Sequence, residues 1–175
     1  MPFHTLIQKV TVDASANYGD HETLFDFVEI QLPAKDVVVL GGYFIVHGGD
    51  ELASDNCSIH FYQNNTNIPG AASEATGLNA ARIKANGYLG GCSFGFSEVD
   101  QGTFGFTNPT DAIHYDMTML GNTGSSADEP PLLGNLVLTS NNIGNTVFAH
   151  GQIDVDTSGN FDATDSCRFI LYLKY

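Results

Sequence analysis

Apolar and polar residues alternate along most of this chain with a period of two. Residues 167–175, CRFILYLKY, show it most cleanly. Cys167, Phe169, Leu171, Leu173 and Tyr175 fall on one side, and Arg168, Ile170, Tyr172 and Lys174 on the other. Successive side chains of an extended strand point to opposite faces, so this period predicts a strand with one buried face. The same reading predicts strands over residues 5–12, 24–32 (stopped by Pro33), 36–47, 58–63, 92–97, 103–107, 113–120, 132–139 and 146–155. Gly41-Gly42 interrupts the β-branched and aromatic run 36–47, DVVVLGGYFIVH, and predicts a bulge or bend there.

The intervening segments are rich in Gly, Asn, Pro and Ser, as in 64–70, NNTNIPG. Residues 121–131, GNTGSSADEPP, read as a long exposed loop. Only residues 71–86, AASEATGLNAARIKAN, hold enough alanine for a helix, and Gly77 limits it to a short one. About nine or ten short strands without a sustained helical period predict an all-β fold, an antiparallel β-sandwich or jelly-roll-like domain. No composition break marks a linker, so residues 1–175 read as one domain. No βαβ alternation suggests a parallel nucleotide-binding sheet.

Composition narrows the function classes. The chain is 42% hydrophobic, enough for a core, and 15% charged against a norm of about 25%. Its polar surface is therefore made largely of Asn, Thr, Ser and Gly. Twenty acidic residues against 6 basic give a net charge of −14. Phosphate binding needs clustered Lys and Arg, so neither a nucleic-acid partner nor an anionic membrane is expected. Residues 1–10, MPFHTLIQKV, lack a basic region followed by an apolar run, so no secretory signal is expected. The three cysteines, Cys57, Cys92 and Cys167, are odd in number and far apart, unlike a disulfide framework or a zinc motif. They read as small buried side chains on strands.

Candidate chemistry is sparse. Gly91-Cys92-Ser93-Phe94-Gly95 matches the GxSxG pattern of a nucleophile elbow, but that elbow needs a following helix, and residues 96–102 read as strand end and turn. The six histidines stand singly, without the spacing of a zinc helix. No nucleophile, metal or acid–base set emerges, and a non-enzymatic protein is expected. Residues 93–97 and 103–107, SFGFS and TFGFT, are near copies around a polar turn. They predict a hairpin with Phe94, Phe96, Phe104 and Phe106 on one face, serving either the core or a subunit contact. Residues 154–165, DVDTSGNFDATD, place oxygen side chains in the register of a calcium loop: Asp154, Asp156, Ser158, Asn160, Asp162 and Asp165, with Gly159 at the sharp turn. Asp165 stands where such loops carry Glu, and the flanks are strands. The other reading is a solvated acidic hairpin turn between the last two strands. No cofactor is expected, and calcium is the one candidate ion.

The order of segments carries a resemblance. KVTVDASANYGD at 9–20, LFDFVEI at 24–30 and GGYFIVHGGDEL at 41–52 are followed by a strand at 58–62 and a closing strand at 169–175. Together they resemble the small β-sandwich head decoration (cement) proteins of tailed bacteriophages, over most of the chain and through strand and turn patterns. The resemblance implies a virion structural protein on the capsid exterior, assembled in the host cytoplasm. It implies a homo-oligomer, a trimer by preference, that binds the major capsid protein and stabilises contacts between its subunits. Buried free cysteines suit a reducing cytoplasm. Within that reading the expected contact residues are Phe3 and Leu6, on an N-terminal arm formed by residues 1–8, and Phe94, Phe96, Phe104 and Phe106. The alternative is a carbohydrate- or cell-surface-binding sandwich of a fibre or tail, its site made by loop tyrosines and Asn-rich turns and ordered by calcium at 154–165. With no Trp in the chain, Tyr43, Tyr62, Tyr88 and Tyr115 are the aromatic platforms left for a sugar.

Overall fold

The computed structural model describes residues 1–11, 23–47, 56–66, 85–95, 113–120, 136–153 and 166–175. These form nine strands: β1 (Phe3–Val10), β2 (Thr23–Gln31), β3 (Asp36–His47), β4 (Asn56–Tyr62), β5 (Tyr88–Gly95), β6 (Ile113–Leu120), β7 (Leu136–Thr139), β8 (Thr146–Ile153) and β9 (Ser166–Lys174). The pairing is nested. β1 pairs with β9, β2 with β8, β3 with β6 and β4 with β5, all antiparallel. This winding gives two four-stranded sheets, β1-β9-β3-β6 and β5-β4-β8-β2, joined where β5 pairs with β6. It is the jelly-roll order, with β7 added against the start of β3.

The alternation of each strand explains the packing. Cys167, Phe169, Leu171 and Leu173 of β9 are fully buried, as are Val39 and Phe44 of β3. From the other sheet, Ile59 and Phe61 of β4 and Val147 and Ala149 of β8 face them, with Leu24 and Ile30 of β2. The rings of Phe25 and Phe169 stack at 6.2 Å across the sandwich. Each buried Val, Leu, Ile or Phe among these contributes roughly 1.5–3 kcal/mol of transfer free energy, and Ala149 less.

The expected irregularity at Gly41-Gly42 is present. The β3–β9 ladder shifts register between Val39 and Gly41, and Leu40 at the break is left exposed. Gly42 permits the close approach of the two backbones, since a Cβ there would stand 2.2 Å from the carbonyl oxygen of Ile170. Of the segment expected to be helical, residues 85 and 86 are described. Both are helical, and Gly87, with φ 66°, turns the chain out of the helix into β5.

Three expectations change. Residues 3–8 are not a free arm, because Phe3 to Gln8 pair with β9 in an unbroken register as part of edge strand β1. Ser93 to Gly95 are paired on one side with β4 and on the other with β6, so this part of SFGFS has no edge left for a hairpin with TFGFT. The last two strands are not a hairpin either. β8 pairs with β2 and β4, and β9 with β1 and β3, so residues 154–165 connect one sheet to the other.

Candidate functional site: the outer face of the first sheet

The outward rows of β1 and β9 lie side by side. Phe3 is opposite Lys174, Thr5 opposite Tyr172, Ile7 opposite Ile170, and Lys9 opposite Arg168. On the other side of β9, Tyr172 meets Gly41 and Ile170 meets Tyr43 of β3. These rows follow from the period of two, since Leu6 and Val10 of β1 and the odd-numbered residues of β9 turn into the core. What remains outside is apolar to an unusual degree. Phe3 is 71% exposed, Ile7 59% and Tyr172 42%. Tyr43 and Tyr172 meet edge to face at 6.0 Å across the backbone left bare by Gly41. Val137 of β7, opposite Val38, continues the exposed apolar surface. Neither of these two outward rows carries a carboxylate; on the same face Asp36 lies beyond the β9 ladder at the start of β3, and Asp116 of β6 is opposite Tyr43.

The outward positions of the second sheet are of another kind. His60 of β4 and His150 of β8 are register partners. His60 Nδ1 lies 3.1 Å from the Tyr88 hydroxyl, and His150 Nε2 lies 3.2 Å from Thr23 Oγ1. The ring of Phe27 packs on Tyr62 at 5.2 Å and on His150 at 5.5 Å, and Tyr62 packs on Tyr88. Tyr62 and His150 are buried, and burial lowers the pKa of His60 from 6.5 to about 4, so this imidazole is neutral near pH 7. Among the described residues no third His, Cys, Asp or Glu joins these two histidines to make a metal-holding group. The arrangement packs and hydrogen-bonds the outer side of this sheet.

The sequence-derived candidates fall as follows. Phe3 is on the exposed outer face, whereas Leu6 is 8% exposed and packs in the core, so it is not available for contact. Phe94 lies in β5, with Cys57 and Met117 as its register partners. Phe96, Phe104 and Phe106 lie outside the described residues, as do Asp154, Asp156, Ser158, Asn160, Asp162 and Asp165. Ser93 of the GxSxG match sits inside β5, paired on both edges, and not on a strand-to-helix turn. Tyr43, Tyr62, Tyr88 and Tyr115 stand on β3, β4, β5 and β6. All three cysteines are free and buried, as expected. Ile7, Tyr172, Lys9 and Lys174 were not singled out by sequence. The alternation of 167–175 already put Tyr172 and Lys174 on one side, but only the pairing with β1 joins them to Phe3, Ile7 and Lys9.

No protein-family model matches this chain, and no curated protein does.

Proposed function

We propose that this chain is a non-enzymatic structural protein that lies on the outside of a phage capsid and stabilises contacts between major capsid subunits. The observation that carries the reading is the outer face of β1-β9-β3, where Phe3, Ile7 and Tyr172 stand exposed on paired, rigid strands. Aromatic and aliphatic side chains held on a sheet lose little entropy on docking, and such contiguous exposed patches mark interaction surfaces. The jelly-roll winding and the resemblance in segment order support the same reading. Copies joined as a trimer would bind several capsid subunits at once, so modest contacts would add up through multivalency.

The test is co-sedimentation of the purified chain with undecorated capsids of the phage that encodes it. Exchanging Phe3 and Ile7 for serine is expected to lower occupancy at least tenfold, about 1.4 kcal/mol, with the melting temperature unchanged. Unchanged occupancy would remove this face from the contact.

A further inference from the structure

The β1 and β9 rows of the same outer face have a charge character opposite to that of the chain, while its acids, Asp36 and Asp116, stand on β3 and β6. Only 6 residues of the sequence are basic against 20 acidic, yet Lys9, Arg168 and Lys174 all lie on the outward rows of β1 and β9. Lys9 stands at one end of the ladder and Lys174, opposite Phe3, at the other. Six residues of strand separate these ends, roughly 20 Å at about 3.4 Å per residue. Thr5, Ile7, Ile170 and Tyr172 fill the space between. A lysine on an edge strand can serve simply to block edge-to-edge pairing, which would account for Lys9. It does not account for Lys174, because β9 lies between β1 and β3. A symmetric dimer through this face would set lysines against lysines with no carboxylate on either outward row, which opposes self-docking.

We infer that this face docks on an acidic protein surface, with an apolar centre flanked by two groups of carboxylates roughly 20 Å apart. The inference rests on the capsid reading for the identity of the partner, but its chemistry comes from Lys9, Lys174 and the apolar strip alone. Close pairing of rim lysines with carboxylates governs association rate and salt dependence, while the apolar centre holds the complex.

Poly-L-glutamate serves as the bare acidic probe, titrated into the isotopically labelled full-length chain and followed by amide NMR at about 20 mM and about 300 mM salt. The expected result is a set of shifts confined to β1 and β9 around Lys9 and Lys174, weakened at least tenfold at the higher salt. Lys9→Glu with Lys174→Glu is expected to abolish them. Lys9→Gln with Lys174→Gln is expected to weaken them, and the melting temperature of each variant reports that it is folded. No shifts on these strands, or equal shifts in the reversed variant, would overturn the inference. So would tighter binding of duplex DNA or phosphatidylserine vesicles through the same residues. The capsid sedimentation assay separates the two claims. Binding that ignores charge reversal and salt sinks the acidic partner and leaves the capsid reading intact. Loss of all capsid binding, with the poly-L-glutamate shifts in place, does the reverse.

Discussion

Replacing Gly42 with alanine probes the register that brings β9 against β3 and so builds the outer face. An ideal Cβ at Gly42 would stand 2.2 Å from the Ile170 carbonyl oxygen and 3.1 Å from Leu171 Cδ2, whereas ordinary contact begins at 3.4 Å. The β9 backbone would have to retreat by about 1 Å. It has nowhere to go, because β1 holds its other edge along the whole ladder and Phe169 and Leu171 are fully buried beneath it. Overpacking costs about 1–3 kcal/mol, and each weakened ladder hydrogen bond adds about 1 kcal/mol, for a total near ~3 kcal/mol. Gly41 provides the control one residue away. A Cβ there meets nothing within 4 Å, and its φ is not in the left-handed region. Alanine at Gly41 is expected to be neutral or to stabilise by up to about 1 kcal/mol through the unfolded chain. In a domain of this size, ~3 kcal/mol corresponds to a fall in Tm of roughly 6–12 °C. Urea unfolding followed by circular dichroism measures both variants. Equal losses for Gly41→Ala and Gly42→Ala, or a Gly42→Ala loss below about 0.5 kcal/mol, would refute the register and the close approach.

Three further outcomes follow from buried groups. His60 is held neutral in the fold, with its pKa near 4 and an ordinary value of 6.5 when unfolded. The unfolded chain therefore binds the proton first, and stability present above pH 6.5 is lost as pH falls toward 4, by up to ~3 kcal/mol. His60→Gln is expected to flatten the dependence of Tm on pH in that window; an identical slope in the variant would count against the burial. Asn86 is fully buried, and its side-chain oxygen accepts the Thr66 amide while its backbone oxygen accepts the amides of Gln63 and Asn64. Asn86→Ala is expected to cost about 1–2 kcal/mol and to abolish hydrogen-exchange protection at Thr66, and retained protection would show that the contact is not used. Cys57, Cys92 and Cys167 are fully buried, and burial pushes the Cys92 thiol well above its ordinary pKa. A thiol reagent is expected to modify none of the three in the folded chain and all of them in urea; rapid native labelling would contradict their placement.

Much of the fold was legible because one-sided burial imposes the period of two. The run 36–47 is β3 to the residue, its Gly-Gly bulge included, and the alternation of 167–174 maps onto the buried and outward rows of β9, while Tyr175, expected on the buried side, lies past the strand and is exposed. Pairing was not legible. SFGFS and TFGFT are alike, but likeness does not select a partner, and β5 takes β4 and β6 instead. The last two strands are neighbours in sequence, yet the twelve residues between Ile153 and Ser166 are long enough to cross between sheets. Residues 1–8 read as an arm only through the resemblance, although the alternation from residue 5 onward already predicts a strand. Leu6 enters the core while Phe3 and Ile7 remain outside. The outer apolar face was not legible for a related reason. It is assembled from the two ends of the chain, and neither β1 nor β9 carries it alone.

Electron cryomicroscopy of purified particles of the phage proposed to encode this chain tests the central claim most directly. The expected result is a jelly-roll density on the outer surface of the capsid, with Phe3, Ile7 and Tyr172 turned toward major capsid subunits. A particle without this chain on its shell, or a chain bound with the β1-β9-β3 face turned to solvent, would contradict it.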